Sequence, residues 1–261
     1  MTEPALISSR DNPFLKDLRR LAHGSTDYRK QGQFWAEGDH LVQAALGRGL
    51  RPVMGVFSKS FWPLAHSQYA QAAIKNVVIA DLLYNDISAL ESPARMGFVF
   101  ELPPAPLLQA TAATVILDRL QDPGNVGSIL RSAAAFGFGQ IIAMKGTAAL
   151  WAPKVLRSGM GAHWGLQLIE AVGLAELERL TLPILVTSSH RGDLLHQMLQ
   201  KGSLPMPCAW ALGHEGQGVC AELDALAKAH VRIAQPGGEE SLNVAAAAAI
   251  CLHASMAASI G

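Results

Sequence analysis

The chain has 261 residues, half of them hydrophobic and only 16% charged, which suits two cored domains and excludes a disordered chain. Lysine plus arginine equals aspartate plus glutamate at 21 each, so a globally basic surface cannot argue for nucleic acid. The three cysteines, Cys208, Cys220 and Cys251, share no CxxC or Cys/His spacing, which speaks against a disulfide framework or a zinc site.

The charge is nevertheless uneven along the chain. Residues 1–60 hold nine Lys/Arg (Arg10, Lys16, Arg19, Arg20, Arg29, Lys30, Arg48, Arg51 and Lys59) against six acids, so the N-terminus is the basic end. A solvated helical face explains that as well as an RNA surface does. The start, Met-Thr-Glu-Pro-Ala-Leu, lacks a basic region leading into an apolar run, so no secretory signal is expected. A soluble, cytoplasmic protein is the expectation. Pro13–Leu21 and His40–Gly47 read as helices, Val53–Phe57 and Val77–Ala80 as strands, together a small α/β domain over 1–101.

Residues 102–113 form the expected linker, because Pro103, Pro104 and Pro106 prevent regular hydrogen bonding there. From 114 to 261, short apolar runs alternate with amphipathic ones. Strands are expected at Thr114–Leu117, Gln140–Met144, Leu166–Ile169, Ile184–Thr187, Ala209–Leu212 and Val231–Ala234. Val126, Ile129, Leu130, Ala133 and Gly137 share one face of a helix between the first two. That alternation indicates a parallel sheet covered on both faces, which binds ligands beyond the carboxyl ends of its strands. The uncharged stretch Val244–Ile260 is short for a membrane span and suits a buried helix packed through small residues.

Three strand-end loops carry candidate chemistry. The first, Asp118 to Asn125, leads into a helix bearing Arg131; Pro123 and Gly124 make the turn and Asn125 can cap the helix. Alone, it is an ordinary capped turn with a surface arginine. The second, Leu212-Gly213-His214-Glu215-Gly216-Gln217-Gly218, allows close backbone approach to a ligand and puts a carboxylate in the crevice. It is not the dinucleotide fingerprint, since no GxGxxG follows the first strand. In the third, Ile233 to Val244, Ser241 or Glu240 could cap the last helix, and Glu239 and Glu240 would suit its dipole. Asn243 needs a hydrogen-bonding role to offset its place on an apolar helix.

Together, Asp122-Pro123, Asn125, Gly127 and Arg131, then Leu212-Gly213, Glu215 and Gly218, then Ser241-Leu242-Asn243-Val244 resemble the three motifs of the SpoU/TrmH-type RNA 2'-O-ribose methyltransferases of the SPOUT superfamily. The resemblance covers 114–261. It extends to Ile7-Ser8-Ser9, Asn12-Pro13, Lys16, Phe34 and Glu37-Gly38, similar to the family's appended substrate-binding domain. Three positions depart from the pattern: Ala234 stands in place of proline, Gly159 in place of serine, and His214 where a small or polar residue is commoner.

The resemblance implies an α/β fold with a C-terminal trefoil knot, a rare exception to ordinary connection rules, and a homodimer with active sites near its interface. It implies S-adenosyl-L-methionine as cofactor, with Thr187, Leu212, Gly213, Ile233, Ser241 and Leu242 around it. Asn125, Arg131, Glu215, Ser241 and Asn243 are its implied catalytic set, with Glu215 orienting Arg131 through a charge-assisted pair. RNA is the implied partner, ribosomal RNA ahead of transfer RNA, held by the N-terminal domain. Two other readings are a non-catalytic RNA-binding protein that keeps the fold, which the complete catalytic set opposes, and a nucleotide-dependent oxidoreductase, which the missing fingerprint opposes.

Overall fold

The computed structural model describes residues 4–65, 69–90, 92–237 and 241–260. In chain order the elements are β1 (Ala5–Ile7), α1 (Pro13–His23), α2 (Asp27–Gln31), β2 (Gln33–Glu37), α3 (Asp39–Gly47), β3 (Met54–Ser58), α4 (Trp62–Ala65), β4 (Lys75–Ile79), α5 (Asp81–Asn85) and β5 (Met96–Glu101). After the proline segment come β6 (Thr114–Leu117), α6 (Pro123–Ala135), β7 (Gln140–Met144), α7 (Pro153–Gly159), β8 (Gln167–Val172), α8 (Leu174–Leu177) and β9 (Ile184–Thr187). The chain then forms β10 (Asp193–Leu194), α9 (Leu195–Gln200), β11 (Ala209–Leu212), α10 (Ala221–Ala225), β12 (Ala229–Arg232) and α11 (Val244–Ile260).

Two compact units divide these elements: Met1–Pro104 with Trp151–Trp164, and Ala105–Leu150 with Gly165–Gly261. The sequence places 151–164 inside the C-terminal domain, whereas its side chains belong to the first unit's core. Trp164 stacks on Phe34 with ring centroids 5.5 Å apart, and Trp151 lies 4.8 Å from the same ring. Phe34 in turn stacks on Phe100 at 5.4 Å. Such aromatic pairs contribute beyond the area they bury.

The first unit's sheet runs β1-β4-β3-β5-β2. Its strands β2 and β5, paired antiparallel from Gln33 with Glu101 to Glu37 with Gly97, were not expected from the sequence. Buried Glu37 is satisfied by the Ser88 hydroxyl.

The second unit's sheet runs β10-β12-β9-β11-β6-β7-β8 with every pairing parallel. Its core joins Ile116, Ile142, Val186, Ala209, Ala211 and Leu223, the near-continuous apolar strands that a doubly covered sheet requires. Four strands have the expected bounds; β8 starts one residue and ends three residues later than expected, β12 lies two residues earlier, and the two-residue β10 adds a seventh. Gly137 is not on the helix face: α6 ends at Ala135 and Gly137 follows it at φ +81°. Nor is α11 buried all round. Ala248, Cys251, Leu252, Ala254 and Ser255 face the core, with Ser255 accepting from buried Trp210 Nε1 at 2.9 Å, while Ala246, Ile250, His253 and Ala257 are exposed. Among the described residues no helix is long and apolar enough to cross a membrane.

Candidate active site

The helix α6 starts where proline lets it. Pro123 fixes the first helical φ, and Asp122, not Asn125, is the cap: its Oδ1 accepts the Asn125 N–H at 2.7 Å. Asn125 therefore sits in the first turn with its amide free to point across the crevice.

Its Nδ2 donates to Glu215 Oε1 at 3.2 Å, and its Oδ1 accepts from Asn243 Nδ2 at 3.0 Å. Asn243 in turn caps α11, its Oδ1 accepting the N–H groups of Ala245 at 2.9 Å and Ala246 at 3.3 Å. The polar residue on the apolar helix thus has its bonding role, and the cap is Asn243 rather than Ser241. Glu239 and Glu240, the other expected helix-start residues, lie outside the described residues. A directed chain results, from the α11 amides through Asn243 and Asn125 to the Glu215 carboxylate. Each amide oxygen accepts and each amide nitrogen donates, so both side chains are oriented.

Beside this chain the second unit holds a cavity of about 740 Å³, within the range of small-molecule sites. Thr187, Gly213, Glu215, Ile233, Ser241, Leu242 and Asn243 line it together with Val186, Val231, His190, Arg191 and Asp224. Leu212 does not: it is fully buried, and its carbonyl accepts from the Asp118 N–H at 2.9 Å. A Cβ on Gly213 would lie 2.0 Å from the Gly218 carbonyl carbon, so only glycine lets the two limbs of this loop close. Backbone bonds from Gln217 and Gly218 to the His214 carbonyl complete the turn, and His214 Nδ1 accepts the Gly216 N–H at 3.1 Å. At the rim, Asp224 accepts from Arg191 and, at 2.8 Å, pairs with His230 Nε2. His230 first and Arg191 next hold the Asp224 carboxyl below its ordinary value, against the opposing effect of burial.

Arg131 is not part of this assembly. It lies six residues beyond Asn125, about 9 Å along the helix axis and on a different side of the helix. The side chain is exposed, off the cavity wall, and makes no ion pair among the described residues. The expected Glu215–Arg131 pair is replaced by the Glu215–Asn125 bond.

Asp118 and Arg119 acquire contacts that sequence reasoning missed. Asp118 is buried, accepts the Cys220 N–H at 2.5 Å and pairs with Arg119 Nε at 3.0 Å. An acid at a strand end is a weak signal, and an arginine after it carries none. The thiols of Cys208 and Cys251 are both pushed up to about 12 by burial, which leaves them unreactive. Among the described residues no cluster of His, Cys, Asp and Glu could hold a metal ion.

The architecture is that of solved RNA methyltransferases. An RNA 2'-O ribose methyltransferase matches with a TM-score of 0.80 at 26% identity, over 98% of this chain and 100% of that one. An AdoMet-bound rRNA methyltransferase from Sinorhizobium meliloti matches with a TM-score of 0.80 at 25% identity, over 96% of each chain.

The chain belongs to the SpoU rRNA methylase family, whose model matches residues 112–253. Among its relatives are the 23S rRNA (guanosine(2553)-2'-O)-methyltransferase RlmP of Bacillus subtilis, 31% identical over 95% of this chain and 97% of that protein, and an uncharacterised tRNA/rRNA methyltransferase of Synechocystis, 32% identical over 95% and 92%.

Proposed function

We propose that this protein transfers a methyl group from S-adenosyl-L-methionine to a ribose 2'-hydroxyl of ribosomal or transfer RNA. The observation that carries the reading is the Asn243–Asn125–Glu215 chain at the edge of the glycine-framed cavity. The cavity suits the cofactor on its own chemistry. Gly213 and its neighbours offer backbone at close range, Val186, Val231, Ile233 and Leu242 offer apolar walls, and Thr187 and Ser241 offer hydroxyls. When bound, the cofactor supplies an electrophilic methyl group.

The chain's own residues have three tasks. The first is to hold the reactants aligned and exclude water, which can account for a large part of the acceleration. The second is to manage the proton of a weakly acidic hydroxyl. Glu215 is the carboxylate placed to accept it, oriented through one oxygen by Asn125 and leaving the other available. Arg131 is unsuited to that role, since guanidinium offers donors and no acceptor. The third is to hold the neighbouring phosphate and stabilise developing oxyanion charge, for which the Arg131 fork is suited once RNA or a second copy brings the reacting ribose within its reach.

In this reading the connections around β12, the last strand in sequence yet seated between β9 and β10, form a trefoil knot. The exposed face of α11, with Ala246, Ile250 and Ala257, pairs with a second copy in a homodimer whose interface lies near the active sites. Residues 1–101 hold the RNA through phosphate contacts. Arg10 and Arg19 are engaged with Asp86 at 3.1 and 3.8 Å, Lys16 with Asp11 and Arg20 with Asp17, so those contacts fall to residues such as Lys30, Arg48 and Arg51. Ribosomal RNA is the favoured substrate, and the cytoplasm is where that chemistry would take place.

The test pairs calorimetry with label transfer. The purified protein should bind S-adenosylmethionine or its demethylated product and pass labelled methyl to bulk RNA. Binding of neither ligand, with or without RNA, would overturn the reading. RNA binding without transfer would leave a non-catalytic RNA-binding protein.

A further inference from the structure

We infer that Arg119 is a positioning residue for the cofactor loop, a clamp that ties the end of β6 to the descending limb of residues 213–218. The inference rests on the methyltransferase reading of that loop.

Arg119 adopts φ +57°, a left-handed conformation that side chains other than glycine, asparagine and aspartate seldom take. That unusual backbone turns the side chain toward the loop, and every part of the guanidinium is then used. Nε and Nη2 fork onto Asp118, at 3.0 and 3.3 Å. Nη1 donates to Gln217 Oε1 at 3.3 Å, and Nη2 also donates to the Gly218 carbonyl at 3.4 Å. The anchor is firm because the Asp118 side chain is only 1% exposed and its Oδ2, which accepts Arg119 Nη2, also takes the Cys220 N–H. The Arg119 backbone is fixed too, its N–H donating to Thr147 Oγ1 at 3.1 Å while that hydroxyl donates to the Leu117 carbonyl at 2.8 Å. Two further groups of the loop are thus held from outside, beyond the His214 bonds that close it. Arg119 is absent from the cavity wall, so it acts on the cofactor only through the loop.

The test is the full chain with Arg119→Gly, a substitution that suits the positive φ. The chain should still fold, with a melting temperature at or below wild type, because relief of the positive φ only partly offsets the loss of the cation beside buried Asp118. The Kd for S-adenosylmethionine should rise about tenfold, as expected for losing charge-assisted hydrogen bonds. KM for the cofactor should rise in parallel, while turnover at saturating cofactor and RNA changes far less. Gln217→Ala should give a smaller rise, and adding it to Arg119→Gly should give less than the sum. Arg119→Lys should fall between, because an ammonium keeps the Asp118 pair without the fork. An unchanged Kd in Arg119→Gly, or an effect confined to the KM for RNA, would overturn the clamp. Absence of binding by the wild-type chain would instead overturn the functional reading itself.

Discussion

The cofactor side of the crevice and the Arg131 side are built on opposite terms. The loop 213–218 is closed by its own backbone, held from outside by Arg119, and joined through Glu215 to Asn125 and the capped start of α11. Arg131 leaves α6 six residues after Asn125 with an exposed side chain and no ion pair among the described residues. The cavity is therefore organised by contacts within one chain, whereas the arginine is exposed and, in the proposed reading, takes its partner from RNA or a second copy. Preorganised groups cost no rearrangement when a ligand binds. An exposed cation, by contrast, gains strength only when its surroundings lose water. Cofactor binding and catalytic power should accordingly separate under mutation.

The widest separation is expected at Arg131. Arg131→Ala should leave folding and cofactor affinity near wild type while turnover at saturating RNA falls by about 10²–10³. Arg131→Lys then asks whether charge alone suffices: substantial rescue would say so, and little rescue would point to the planar fork. Near-normal turnover in the alanine variant would remove Arg131 from the mechanism and dissolve the contrast.

A smaller effect that crosses both sides is expected at Asn243. Asn243→Ala removes a helix cap, costing about 1 kcal/mol of stability, and also breaks the chain that orients Glu215. Turnover should drop further than the stability loss explains, by about tenfold. Ser241→Ala, at a position that does not cap α11, should leave the melting temperature unchanged. Equal destabilisation by the two substitutions, seen in thermal melts, would contradict the cap assignment.

The smallest effect belongs to the rim. The Asp224 carboxyl binds its proton more weakly when folded than unfolded, because His230 and Arg191 stabilise the anion. Its contribution to stability is therefore present above the unfolded value of about 4 and is lost as pH falls through the lower folded value. With Arg191 largely exposed, it should be about 1 kcal/mol or less. Asp224→Asn should be less stable than wild type at neutral pH, and the difference should close below about pH 4. A gap that persists in acid would assign the loss to packing.

Much of this was legible in the sequence because apolar runs bounded by Pro and Gly fix where strands end, and strand ends fix where chemistry can sit. Asn125, Glu215 and Asn243 were expected near one crevice and are bonded to one another. Less legible were contacts made across long sequence separations. Nothing local says that Asp122 takes the cap and frees Asn125, or that Glu215 bonds Asn125 instead of Arg131. The strands β2 and β5 were missed because QFWAE and MGFVFE, largely buried within an aromatic core, lack the polar alternation of half-exposed strands. Arg119 is hardest of all, since its role depends on a positive φ that no residue type there announces. The segment 151–164 shows the same limit: Trp151 and Trp164 join a core whose other members lie more than fifty residues earlier in the chain.

The most direct measurement of the central claim is the position of the transferred methyl. Ribosomal and transfer RNA would be incubated with the purified protein and isotopically labelled S-adenosylmethionine, digested to nucleosides and resolved by mass spectrometry. The account predicts label in a 2'-O-methylnucleoside, lost with Arg131→Ala while that variant still binds cofactor. Label on a base, or no label from a protein that binds both cofactor and RNA, would contradict it.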